Sequence, residues 1–206
     1  MDPNTFPTKG NLILAKNSLK LAVMGYGLMD KKRNILIREL MELIDQARGI
    51  QTEIDSTFRT AYEALQKANI ELGINYVQEI GASVPVDDAV RVKVRSIMGT
   101  EIPLVQHEQK PMALAYGFQS TSEALDEARY HFEKVKELTI KLSMVENSAY
   151  RLANSIKKTQ KRANALKNIT IPHYEELSKS ISNALEEKER EEFTRLKVIK
   201  RTKTAK

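Results

Sequence analysis

Apolar residues at Leu12, Ala15, Leu19, Ala22, Tyr26, Met29, Leu36, Leu40, Leu43, Ala47, Ile50 and Ile54 recur at alternating three- and four-residue intervals, broken only by Arg33. From Leu142 the spacing returns through Val145, Ala149, Leu152, Ile156, Ala163 and Leu166, with Thr159 its weak member. A period of 3.5 turns one narrow apolar stripe toward a partner helix and imposes a left-handed supercoil. Two such stretches with a reversal between them predict a mainly α fold. It is a long antiparallel two-helix left-handed coiled coil with a small β-hairpin lobe at the turn end. That shape suits transmitting force or holding partners apart, and leaves little room for an enclosed catalytic pocket.

Residues 1–10 hold Pro3, Pro7 and Gly10 and are expected to be irregular. The first helix is predicted over 11–72, ending at Gly73, a rod of roughly 90 Å at helical rise. Its interior glycines, Gly25, Gly27 and Gly49, each cost up to about 1 kcal/mol against alanine. They mark either a close neighbour or simple local flexibility. Near Ile54, Phe58 and Ala61 the spacing reads as a stutter, where the supercoil is expected to relax. Residues 73–119 form the lobe. Val90, Val92 and Val94 alternate there with Arg91, Lys93 and Arg95, the period-two pattern of a half-buried strand. Ile102 to Val105 reads as the returning arm, giving a hairpin at about 90–106 with its basic face in solvent. Pro85, Pro103 and Pro111 prevent the lobe from being one helix. The second helix is expected over 120–199, opening on an N-cap cluster at Ser120–Ser122 and kinked near 168–172 by Pro172. Residues 200–206 form a basic tail.

With Gly73 and Ser120 at the base, residue 11 falls opposite roughly residue 182. The second helix then projects about 25 Å past the first, still carrying Leu185, Phe193, Leu196 and Ile199. A lone helix cannot bury these, so a partner should surround the tip; the alternative is a frayed end. Arg33, on the seam, is expected to lay its stem along the stripe and lift its charge to solvent. The other possibility is a register-fixing pair with an acid on the facing helix.

Composition agrees with a slender fold. Apolar residues make up 41%, aromatics only 6%, and charged residues 29%, enough for two polar helix faces. There is no cysteine, so disulfides, thiolate nucleophiles and cysteine metal sites are excluded. No run reaches the roughly 20 apolar residues that span a bilayer, and the chain reads as intracellular. The net charge of +6 comes from residues 121–206, and the last ten residues hold five basic and no acidic side chains. A nucleic-acid arm would look like this, as would a solvated tail or a segment inserted into a partner's polar cavity.

Catalytic constellations are missing. There is no phosphate loop, and Gly25-Tyr26-Gly27 has Asp30 where a third glycine would stand. His107, His131 and His173 are far apart and lack metal-ligand spacing. Glu186, Glu187, Glu191 and Glu192 alternate with Lys188, Arg190 and Arg195 at ion-pair spacing, a helix-stabilising surface. No active site, cofactor site or metal site is expected.

Three separated segments carry a family resemblance. They are Pro7-Thr8-Lys9 with Leu19-Lys20-Leu21-Ala22 and Leu28 to Arg33, then Arg95-Ser96-Ile97-Met98-Gly99-Thr100-Glu101-Ile102-Pro103. The third comprises Lys161 to Leu166, Ile171-Pro172, and Glu189 to Phe193 with Arg195-Leu196-Lys197. In order and spacing the chain resembles the D subunit of V-type and archaeal-type rotary ATPases, departing at Asp30 and His173-Tyr174. The resemblance implies a non-catalytic rotor-shaft component inside the hexamer of A and B subunits. It implies a clasp by the small F subunit, a base seated on the C (or d) subunit over the membrane ring, and no direct nucleotide, nucleic-acid or lipid binding. The chain would be cytoplasmic, held at the membrane through the complex. The tip residues Phe193, Arg195, Leu196, Ile199 and Lys200 would bear on the hexamer, and Ile97, Met98, Ile102 and Pro103 on the base partner. A stand-alone coiled-coil scaffold or basic nucleic-acid-binding rod is the alternative.

Overall fold

A computed structural model describes residues 6–86, 90–107, 115–117 and 121–204. Its elements are α1 (Lys9–Leu72), α2 (Ile74–Ser83), β1 (Val90–Ile97), β2 (Thr100–His107), α3 (Glu123–Ala165), a π-helical turn (Leu166–Thr170) and α4 (Ile171–Thr204). Pro3, Pro111, Ser120 and Lys206 lie outside the described residues. The chain divides into two compact units: Met1–Asn34 with Lys157–Lys206, and Ile35–Ile156. The two-helix coiled coil with a β-hairpin lobe is the architecture observed.

In the unit of residues 35–156, α1 and α3 pair antiparallel, with low numbers on one meeting high numbers on the other. Leu36 and Leu152 share one buried cluster, and Ala68 and Leu125 another. Between them Lys134 pairs with Glu53 at 3.7 Å, and Phe132 meets Phe58 and Tyr62 edge-on. The expected stutter is absent. Thr57 is buried and carries the seam from Ile54 to Ala61, then Ala64 and Ala68. Its hydroxyl donates to the Glu53 carbonyl at 2.7 Å, so the polar atom is satisfied inside the helix. Phe58 serves the aromatic cluster beside the seam instead. At Gly73, φ is +88°, a conformation that favours glycine, and the chain turns into α2. The short helix α2 was not anticipated; its Ile80 packs with Ala68 and Leu125.

The β1–β2 hairpin closes on Met98 and Gly99, both at positive φ (50° and 76°), as a two-residue primed turn requires. Rather than staying by the turn at Gly73, it packs along the paired helices. Ile97 and Ile102 meet Leu36, Leu40, Leu43, Leu152 and Ile156. Thr100 Oγ1 lies 2.7 Å from Ser155 Oγ, and Arg151 donates to the Glu101 carbonyl at 3.3 Å.

This seating corrects the sequence reading of the strand. Val92 and Val94 are 64% and 63% exposed. Arg91, Lys93 and Arg95 are exposed too, as expected, but on the face that borders clefts toward the helices. The cause lies in the pairing: Arg95 stands opposite Ile102 and shares its face with Ile97. Two isoleucines that reach the Leu36–Leu152 core outweigh three valines that reach nothing.

In the other unit, the start of α1 pairs with the end of α3 and with α4. Thr8 caps α1: its Oγ1 accepts from the Asn11 amide at 3.2 Å, so the helix begins two residues before the expected point. Ala15, Ala22, Ala163 and Ile181 are buried on the seam. A methyl on Gly25 would stand 3.7 Å from Leu166, an ordinary contact, while Gly27 faces open space. Arg33 does not simply lift its charge to solvent. Its Nη1 donates to Gln160 on the facing helix at 2.9 Å, and its Nη2 pairs with Asp30 at 2.6 Å. The acid thus sits on its own helix, and an amide answers across the seam. Before Pro172 the helix widens into a π turn over Leu166–Thr170 and resumes at Ile171. The Ile171 amide reaches back five residues to the Leu166 carbonyl, and the Thr170 hydroxyl reaches the Ala165 carbonyl at 3.4 Å. Widening the turn relieves the clash of the proline ring with the carbonyl four residues earlier.

Candidate functional site

The surfaces available for function are apolar residues the fold leaves in water. Ile181 is the last buried residue of α4, and every residue from Glu186 to Lys203 is exposed. Phe193, Leu196 and Ile199 are 69%, 65% and 51% exposed, with Val198 beside them. Phe193 borders a shallow depression with Glu186, Glu189, Arg190 and Thr194. Arg195 and Lys200 are exposed too, Arg195 at 4.0 Å from Glu191 one turn earlier. All five residues named for the tip therefore stand on one unburied helical segment.

The four hairpin residues fare differently. Ile102 is buried and Ile97 and Pro103 are half-buried, so only Met98, at the turn, is openly presented. Sequence reasoning also passed over Leu14, Leu21 and Leu28 on α1. They recur every seven residues beside the seam and are 61%, 65% and 64% exposed. That second seven-residue repeat was the signal; it was masked by the stronger seam next to it.

Among the described residues no pocket gathers groups for bond-making. A cleft of about 640 Å³ lies between the hairpin and α3 and mixes Arg91, Lys93 and Lys141 with Glu137, Ile140 and Met144. Among the described residues no three His, Asp or Glu side chains cluster as metal ligands, and His107, His131 and His173 are not brought together. Among the described residues one ionisable group, Tyr116, is clearly shifted. Burial, then its 2.6 Å hydrogen bond to Asp126, raises the Tyr116 hydroxyl above its usual 10.0; Arg129 over the ring opposes this. That cluster ties the 115–117 segment to α3 and is structural. No helix among the described residues is long and apolar enough to cross a membrane.

The described residues make a paired-helix protein with a side hairpin that holds large apolar residues out in water. Comparison with known proteins gives that class its particular family. The family model for the D subunit of ATP synthase matches residues 11–201. Over 194 residues the chain is 46% identical to the V-type ATP synthase D subunit of Thermotoga neapolitana, covering 94% of this chain and 96% of the relative. It is 40% identical over 197 residues to the A-type ATP synthase D subunit of Pyrococcus furiosus, covering 94% and 92%. It is 37% identical over 199 residues to the protein of the same name in Methanobrevibacter smithii, covering 95% and 86%. The chain belongs to the ATP synthase D-subunit family.

Proposed function

We propose that this chain is the non-catalytic central-stalk subunit of a V-type rotary ATPase or ATP synthase. It couples ATP hydrolysis or synthesis in the A/B hexamer to ion transport through the membrane ring. The F subunit clasps it, and the membrane-proximal C (or d) subunit receives its base. Family membership supports the assignment to the machine. The observation that supports the stalk role is the unburied end of α4, with Phe193, Leu196 and Ile199 in water on a helix that outruns its seam.

The physics of such a shaft needs no reactive group. When an asymmetric rod turns within a ring, each surrounding protein meets a different face in succession. Any difference in contact energy between faces biases that protein's open or closed state, and the coupling is reciprocal. The exposed leucines of α1 and the apolar tip of α4 are such faces.

The test is a truncation after Glu192 in the whole complex, with the C (or d) subunit and the membrane ring, reconstituted into vesicles. Residues 193–203 are all exposed, so folding should survive their loss while ATP turnover uncouples from ion transport. If assembly and coupled turnover both persisted at wild-type levels, the tip would not be the bearing surface.

A further inference from the structure

The closing pair Ile97–Thr100 fixes which backbone groups of β1 point where. Hydrogen-bonded pairs fall on Ile97, Arg95, Lys93 and Arg91, so the amides and carbonyls of Val90, Val92, Val94 and Ser96 point away from β2. The sheet has two strands, and among the described residues nothing pairs with this edge. The far edge of β2 is already engaged, its Val105 amide on Met144 Sδ at 3.3 Å and its Glu101 carbonyl on Arg151. Pro103 sits where no inward amide is needed, so the ladder is intact. Every residue from Val90 to Ser96 is exposed, the valines on one face and Arg91, Lys93 and Arg95 on the other. An eight-residue edge with no proline and an exposed valine face is one that sheets ordinarily protect, and the three exposed cations on its other face disfavour a like-charged strand. Among the described residues it is left open.

The chemistry beside the edge selects its occupant. Arg91, Lys93 and Arg95 alternate with the valines on the other face, and none of the three forms an ion pair with a described residue. Glu137 lines the cleft beside Arg91 and Lys93, and Glu39 and Glu42 the one beside Arg95. A second copy of β1 fits badly. Antiparallel pairing that keeps valine opposite valine sets cation opposite cation, and a one-residue slip sets valines opposite cations. We propose that β1 accepts an extended segment of a partner protein as a third strand, one that alternates apolar residues with Asp or Glu. Main-chain bonds to Val90, Val92 and Val94 supply the affinity, and acidic side chains against Arg91, Lys93 and Arg95 set the partner and the register.

Amide exchange on the purified full chain, resolved by residue, tests this independently of the stalk assignment. In the free chain the Val92 and Val94 amides should exchange much faster than those of Lys93 and Arg95. A synthetic peptide alternating valine and glutamate should slow the valine amides, while one alternating valine and lysine should not. Val92→Pro removes a single outward amide and should weaken the Val–Glu peptide about tenfold. Val92→Lys should weaken it as well, with Lys93 and Arg95 amides still protected to show that the hairpin stands. Four results would overturn the proposal. These are valine amides already slow in the free chain, protection that rises with chain concentration, equal binding of the lysine peptide, or full binding by both variants.

Discussion

The facing of the hairpin yields the sharpest quantitative contrast. Ile102 is 8% exposed and lies against Leu36 and Leu152, each fully buried. Ile102→Ala removes three carbons; at about 0.8 kcal/mol per buried methylene the transfer loss is roughly 2.4 kcal/mol. The cavity adds to that wherever the site fails to collapse, giving about 2–4 kcal/mol in all. Val92→Ala removes two carbons that are already in water, and should cost less than about 0.5 kcal/mol. Urea unfolding followed by helical circular dichroism measures the global part. If the hairpin instead detaches locally, the loss appears as faster exchange at Arg95 and Ile102, a hydrogen-bonded pair. A Val92→Ala cost equal to or above that of Ile102→Ala, by both measures, would refute this facing of the strand.

Three further outcomes follow from the same packing. Gly49→Ala fills open space on α1 and should stabilise the chain by about 0.5–1 kcal/mol in urea titration. Asp30→Ala removes a 2.6 Å pair whose side chains are 33% and 27% exposed. It should cost about 1 kcal/mol, whereas Arg33→Leu, which restores the apolar stripe, should cost nothing measurable. Tyr116 keeps its proton longer when folded than when unfolded, so its contribution is complete below the ordinary 10.0 and is lost as pH climbs past that value. Tyr116→Phe should flatten that alkaline loss in pH-dependent urea melts, relative to the unaltered chain.

What was legible in the sequence is what a one-dimensional period can encode. The seam from Leu12 to Ile54 needs no knowledge of the partner, because helical geometry alone puts those residues on one face; none of them is exposed. Thr57 holds a seam place that an apolar pattern passes to Phe58, because a threonine can satisfy its hydroxyl on its own helix. The strand was misoriented for a different reason. Alternation says that two faces differ, not which one is buried; that choice was made by Ile97 and by Ile102 across the ladder. Pro172 forbids an ordinary helical turn, but a break and a π turn are both solutions, and only packing selects between them. Similarly, α2 follows from the contact of Ile80 with Ala68 and Leu125 rather than from any strong local pattern.

The end of α4 carries Phe193, Leu196 and Ile199 exposed, beyond the last buried residue of the helix. A helical end this short, without a packed face, is marginal in water. Its own reinforcements are slight: Arg190–Glu186 and Arg195–Glu191 stand at 4.0 Å with highly exposed side chains, and such pairs contribute a few tenths of a kcal/mol at most. Phe193, Leu196 and Ile199 meanwhile hold their apolar surface in water, at about 25 cal/mol for each Å² a partner would cover. On the stalk reading these two facts are one. The free energy missing from the isolated tip is available only on contact with a surrounding protein, so straightness of the helix and engagement with that partner rise and fall together. A shaft end that depends on its surroundings in this way can report a change in them, which a self-sufficient rod could not.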